Sequence, residues 1–201
     1  MNKKIYLLPI LLLALVFTSC EETKEVSRYD NWQARNEAFI DSLYNVYTTE
    51  ADHGGLDSIH LMSDPEGYIF YKELTPITDE VIEGYVSQDM QPFYTDSVYM
   101  YYKGTLIIGD RFVGNFQGEN PTAFDSPTKF YVSNAGTTGL SEILQRMNVG
   151  ARWRVYIPWK YGYNSSGYGS ILGYTTLIYD MQLYSIENRS SNSLSTLAVE
   201  E

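Results

Sequence analysis

Between residues 139 and 163 the stretch GLSEILQRMNVGARWRVYIPWKYGY changes its apolar period from helical to alternating within one tight turn. Leu140, Ile143, Leu144 and Met147 recur at three- and four-residue spacing and so share one helix face, with Ser141 as the predicted cap. Asn148, Val149 and Gly150 supply the stop that a helix C-terminus needs, so the helix is short. The period then becomes two. Ala151, Trp153, Val155 and Ile157 point one way and Arg152, Arg154 and Tyr156 the other, until Pro158 ends the ladder. This is α+β grammar, and it says nothing yet about chemistry, because an apolar helical stripe beside a half-buried strand is ordinary core.

The rest of the chain fits around that unit. From Asp30 a helical stripe of Trp32, Phe39, Ile40, Leu43, Tyr44 and Tyr47 is predicted, with Arg35, Asn36, Glu37 and Asp41 on the opposite side. It needs a partner, either the domain's own outer surface or a second copy of the chain. Residues 48–66 hold Gly54, Gly55 and Pro65 and read as loop. His53 and His60, with Asp52 and Asp57 nearby, have no metal-ligand spacing and read as solvated loop residues.

Residues 67–73 alternate as a strand, and residues 75–95 form an acidic, proline-bearing connection. Val98, Met100 and Tyr102 lie on one side of the next strand. Gly104 is expected to break that strand, and residues 106–112, turning at Gly109-Asp110, to form its return. A short strand at residues 127–130 follows a longer loop. Residues 164–173, NSSGYGSILG, are a loop flexible by composition, and residues 175–187 form the final strand. Residues 188–201 are a polar tail, expected to be disordered.

The first 19 residues read as a targeting segment. Lys3 and Lys4 precede an apolar run over residues 5–17, too short for a comfortable membrane span, and Cys20 follows directly. Cys20 is the only cysteine, so no disulfide forms within the chain. Its position resembles a lipoprotein processing site, which implies an acylated thiol and anchorage in a bacterial envelope membrane, the outer one favoured over the inner. The other reading is a plain secretory signal with an incidental cysteine. The predicted organisation is a leader (1–19), an acylated tether with a helix (20–66), a main domain (67–187) and the tail (188–201). The net charge of −11 argues against binding nucleic acid through its phosphates.

The wording of the central unit is specific. L-x-x-M-x-V-G-x-R-W-R-V-Y-I-P, then Tyr161-Gly162-Tyr163 and residues 174–180 (YTTLIYD), together with residues 98–112 (VYMYYKGTLIIGDRF), which look like the family's V-x-V-x-Y-x-G-x-L-x-x-G-x-x-F hairpin with Met100 at its second valine, resemble the FKBP-type peptidyl-prolyl cis-trans isomerases, in a bacterial, Bacteroidetes-like lipoprotein form. The resemblance spans residues 67–187. It implies an FKBP-like α+β fold, an antiparallel half-barrel sheet wrapped around one short helix, here with an N-terminal helical extension. It also implies isomerisation of X-Pro bonds in proline-containing polypeptide clients, helping envelope or exported proteins to fold, with no cofactor and no metal.

Carried over onto this chain, the resemblance assigns Tyr163, Tyr102, Phe112 and Tyr179 as catalytic and Phe130, Thr137, Leu140, Ile171 and Val113 as substrate-binding. Tyr163 would offer its hydroxyl to a substrate carbonyl, and the peptide N–H near Thr137 would take a second carbonyl. Tyr102, Phe112 and Tyr179 would wall the proline ring. Val113 stands where the family has Asp, Leu140 where it has Trp, and Asn164 where Gly follows the tyrosine. Losing the Asp removes a polar group that orients the pocket, so a binding or chaperone module without turnover remains an alternative reading. A structural lipoprotein subunit of an outer-membrane assembly is another. No G-x-S-x-G elbow supports a hydrolase.

Overall fold

The computed structural model describes residues 27–77 and 89–187. The expected leader, Cys20 and the tail lie outside the described residues, as do residues 78–88 of the acidic connection. The chain divides into a leading unit, Met1–Asp30, and a body, Asn31–Glu201, to which every element named below belongs.

Among the described residues one antiparallel sheet forms the frame. Its strands are β1 (Asp57–His60), β2 (Tyr68–Leu74), β3 (Ser97–Thr105), β4 (Arg111–Gly114), β5 (Thr128–Tyr131), β6 (Arg152–Ile157) and β7 (Leu177–Ile186). Their order is β1-β2-β6-β7-β3-β4, and β5 pairs with the other half of the β3 edge. The helices are α1 (Trp32–Thr49) and α2 (Thr138–Leu144). The sheet's inner face carries Ile69, Val98, Met100, Val155, Ile157, Leu177, Met181 and Leu183, which join Leu140, Ile143 and Leu144 of α2 in one buried cluster. Complete burial of side chains such as Ile143 and Leu144 contributes about 1.5–3 kcal/mol each. Gly139 lets α2 sit this close, since a Cβ there would lie 2.6 Å from Ile157 Cγ2 and 3.1 Å from Ile69 Cδ1.

The helix cap differs from expectation. Thr137, not Ser141, caps α2: its Oγ1 accepts from Leu140 N at 3.2 Å. The Ser141 hydroxyl instead donates to Val132 O at 2.6 Å, tying the helix to the segment before it. Gly104 does not break β3 but lies inside it, paired with Val113 on one side and Tyr179 on the other. Residues 57–60, read as loop, form the edge strand β1 against β2. Its one strongly apolar residue, Ile59, gives no alternation to detect, and its ladder is set by its partner. The Gly/Ser-rich loop is a hydrogen-bonded turn rather than a loose one, with Tyr168 and Ile171 exchanging backbone bonds at 2.9 Å and Gly167 N donating to Tyr163 O at 3.0 Å.

The outer face of the sheet is covered in cis by α1. Phe39, Ile40, Leu43 and Tyr47 pack on Leu56, Phe70 and Tyr156. Asn36, assigned to the solvent side, is fully buried. Its Oδ1 accepts from Thr176 N at 2.7 Å and its Nδ2 donates to Trp32 O at 2.8 Å, while Trp32 Nε1 donates to Thr175 Oγ1 at 2.9 Å. Burial of this amide is tolerable because both ends are satisfied. The strand β7 is thereby fixed at its start by the helix.

Truncating that amide leaves the Thr176 N–H buried without an acceptor. Asn36→Ala is expected to cost about 1–3 kcal/mol, which lowers Tm by about 2–4 °C for each kcal/mol in a body of this size. Thermal unfolding followed by circular dichroism checks this, and an unchanged Tm refutes the role given to Asn36.

Candidate active site

The register of β3 and β7 brings aromatic side chains from distant parts of the chain to one end of the inner face. Tyr102 lies opposite Met181, and Tyr179 lies opposite Gly104, two pairs further along the ladder. Side chains at both positions project toward α2, because alternate residues of a strand share a face. Gly104 has no side chain, and the space is taken by the return strand. A Cβ there would lie 2.6 Å from Phe112 Cζ and 2.8 Å from Val113 Cγ1. The Phe112 ring thus lies over the Gly104 backbone and meets Tyr179 edge-on at 5.7 Å and 82°.

Tyr102 is held by Asn115. The Asn115 side chain bridges the gap along the β3 edge between β4 and β5, accepting from Tyr102 N at 2.9 Å and donating to Met100 O at 2.9 Å and Thr128 Oγ1 at 3.0 Å. Its own N–H donates to Tyr102 O at 3.0 Å. One amide therefore does the pairing that a continuous strand would do and keeps both neighbours in register. Phe130 comes from β5 and meets Tyr102 edge-on at 5.0 Å and 88°.

Tyr102, Phe112, Val113, Phe130, Leu140, Tyr163, Ile171 and Tyr179 line a single cavity of about 380 Å³, together with Tyr168 and residues 134–136. That volume lies within the range of small-ligand pockets. Leu140 forms part of the floor and is almost fully buried. Thr137 is not among these residues. It lies on an adjoining cavity reached over the same segment, residues 134–136. Cys20 is outside the described residues. His53 sits far along the chain in a turn, where its Nδ1 donates to Tyr47 O at 2.6 Å and its ring stacks on Tyr47 at 4.4 Å.

Tyr168 was missed at the level of sequence. It stacks on Tyr163 at 5.1 Å with the rings 19° from parallel. The signal was the Gly-Tyr-Gly triplet: Gly167 and Gly169 have φ of 73° and 57°, backbone that favours glycine, so the turn is tight enough to place the tyrosine over the cavity mouth. Asn115 left no signal, because a polar residue after a strand reads as loop.

No charged side chain lines the cavity. Its titratable groups are phenols. Burial raises the pKa of Tyr102, Tyr163 and Tyr179 above the ordinary phenol value, most strongly for Tyr179. Tyr179 is pushed further up by the nearby phenols of Tyr163 and Tyr102, which places these three hydroxyls in one electrostatic neighbourhood. All are neutral at physiological pH and able to donate. The Tyr163 hydroxyl stands at the glycine edge of the cavity, 3.8 Å from where a Cβ on Gly136 would be. The arrangement offers apolar aromatic walls and neutral hydroxyl donors. It has no nucleophile–base pair and, among the described residues, no cluster of three metal-ligating side chains.

Comparison with known proteins bears on the family and the fold. The family profile described as FKBP-type peptidyl-prolyl cis-trans isomerase matches residues 88–184. "FK506-binding protein 2" of Aspergillus oryzae is 38% identical over 101 residues, 49% of this chain and 71% of that protein. The isomerase FkpA of Aeromonas hydrophila is 30% identical over 102 residues, 51% of this chain but only 35% of that longer protein. Among solved structures, a peptidyl-prolyl cis-trans isomerase of Pseudomonas syringae superposes with a TM-score of 0.55 at 22% identity, covering 80% of this chain and 97% of the other. Escherichia coli FkpA gives a TM-score of 0.55 at 20% identity, with 92% of this chain and 73% of the other covered. At those identities the structures establish an FKBP-like fold, and the Aspergillus relative carries the assignment further: the chain belongs to the FKBP-type peptidyl-prolyl cis-trans isomerase family.

Proposed function

We propose that this chain accelerates cis–trans rotation about X-Pro bonds in client polypeptides, with the proline ring held in the cavity bounded by Tyr102, Phe112, Phe130, Tyr163 and Tyr179. The observation that carries the reading is the convergence of these rings, from separate segments, on one small cavity free of charged side chains.

The chemistry needs little else. Rotation about an X-Pro bond is opposed by a barrier of roughly 18–20 kcal/mol, because twisting the amide destroys its resonance. The planar amide is more polar than the twisted one, so an apolar, water-poor cavity disfavours the ground state relative to the transition state. A neutral donor that bonds the substrate carbonyl in the twisted geometry adds to the difference. The Tyr163 hydroxyl is assigned that role. The N–H near Thr137 is assigned a second substrate carbonyl, at the border with the adjoining cavity. Val113 is an apolar wall, which leaves substrate orientation to shape and to the hydroxyls.

The clients are assigned to the bacterial envelope, with the chain tethered through acylated Cys20. The basic Lys3-Lys4 pair, the short apolar run and the solitary cysteine support this reading. In a cell that processes lipoproteins, Cys20→Ala should move the protein from the detergent-phase membrane fraction to the soluble fraction. Retention in the membrane argues against the tether.

Exchange spectroscopy on a short proline peptide measures turnover directly, and a rate equal to the uncatalysed one refutes the proposal. Tyr163→Phe is expected to lower kcat/KM by about 2–10-fold, the worth of one hydrogen bond of about 0.5–1.5 kcal/mol. Phe112→Ala removes a wall and is expected to lose about 10–100-fold, corresponding to about 1.5–3 kcal/mol of apolar contact. Each variant is compared at matched folded fraction.

The pH profile is a separate test. With Tyr102, Tyr163 and Tyr179 all raised and no acid or base lining the cavity, kcat/KM should be flat from about pH 6 to 9 and fall only as these phenols ionise, above the usual value of about 10. Folding stability follows the same sign, since a raised phenol pKa contributes fully below that value and is lost as pH climbs through the folded one. A bell-shaped profile centred near neutrality points to acid–base chemistry and overturns the mechanism.

A further inference from the structure

The larger cavity beside the proline site enters the reaction just described only at its border, through the N–H near Thr137, and the rest of it is unused. It measures about 610 Å³ and shares Asn134, Ala135 and Gly136 with the smaller one. The two therefore adjoin along a saddle made by these three residues. At the saddle Gly136 has φ of 95° and is exposed, and a Cβ there would meet nothing within 4 Å except the Tyr163 hydroxyl at 3.8 Å.

Beyond the saddle the walls change character. Ser133 and Thr138 contribute polar groups, and Met62 and Tyr94, 73% and 56% exposed, contribute large apolar ones. The Met62 side chain is presented from a pinned backbone: the Glu142 carboxylate accepts from Met62 N at 2.5 Å and from Ser63 N at 3.0 Å. Both oxygens of Glu142, the one charged side chain lining this groove, are thereby engaged, and the other lining side chains are uncharged. A chain bound by its proline must leave the small cavity in both directions, and the larger cavity borders it on one of its edges. Extended polypeptide covers roughly 3.3–3.6 Å per residue, so two to five residues span about 7–18 Å of surface beyond the proline.

We infer that the groove is an extended subsite for the same client polypeptide, seating a large apolar side chain about two to five residues from the proline against Met62 and Tyr94, with backbone groups facing Ser133 and Thr138. This rests on the proposed isomerase reading. It adds that clients are selected by an apolar residue remote from the bond that turns.

The test uses the full chain and the double variant Met62→Ser/Tyr94→Ser, with folding checked by circular dichroism. Substrates are a four-residue proline peptide too short to reach the groove, and longer peptides with Leu or Ser at each of positions two to five on either side of the proline. The wild type should show at least a threefold higher kcat/KM for Leu than for Ser at one or more of these positions. In the double variant that preference should fall below 1.5-fold, while kcat/KM for the four-residue peptide stays within twofold of wild type. Equal rates for Leu and Ser peptides in the wild type, or a preference that survives in the variant, overturns the subsite. Should the four-residue peptide show no turnover, the isomerase reading fails alone. Fluorescence anisotropy with the labelled Leu and Ser peptides then decides the subsite by the same comparison of affinities.

Discussion

The absence of a side chain at Gly104 is the constraint on which the site depends. Gly104 sits between Val113 and Tyr179 in the ladder, and its bare backbone is where Phe112 folds over the sheet. Any Cβ there would have to displace an aromatic ring and a branched side chain at once. Removing that freedom pushes Phe112 away from Tyr179 and opens the apolar wall. The cavity is therefore a product of backbone approach as much as of ring chemistry, and the glycine that weakens a strand elsewhere is here the residue that shapes it.

A second constraint acts on the other face. The sheet is covered on both sides, so β6 and β7 carry buried polar groups where a solvated sheet would have free ones. Each finds partners. Gln182 exchanges two bonds at 2.9 Å with the backbone of Ile77, Arg152 donates to Thr75 O and Glu119 O, and Arg154 grips Asp180 through two bonds at 2.5 and 2.8 Å. These bonds attach the irregular segments to the strands. Their contribution to net stability is modest, since burying ions costs much of what pairing returns. Breaking any one partner is far more costly than the pair is stabilising, so they specify position. With Asn36 they hold β7 from behind while α2 fills it from the front.

The regular elements were legible because periodicity reports burial. The 3.6-residue spacing around Leu140 and the alternation from Ala151 to Ile157 both mark faces that are buried in the structure. What was hidden depended on distant partners. Asn36 looks solvent-facing until Thr176, across the fold, supplies its donor. The edge strand at residues 57–60 has no pattern of its own, and the cap at Thr137 was masked by a neighbouring serine with a better-placed use. Placement of the rings followed from strand order, which no local window contains. Their clustering was read from a resemblance, whereas the contributions of Asn115 and Tyr168 are visible only in coordinates.

The electrostatics of the cavity narrow the chemistry it can host. A reaction that builds charge needs a fixed counter-charge or a group that titrates near neutrality, and no such group lines these walls. Rotation about an amide builds none: its barrier is lost resonance, and its transition state is less polar than its start. An environment that disfavours polarity while offering neutral donors is matched to that profile and to few others. The raised phenols strengthen the match, because burial that suppresses ionisation of Tyr163 also keeps its hydrogen in place for donation at any pH a cell experiences. Val113, an apolar side chain on the wall beside Phe112, works in the same direction. That wall offers neither charge nor donor, so hydrogen bonding within the cavity falls to the neutral phenols of the opposite walls.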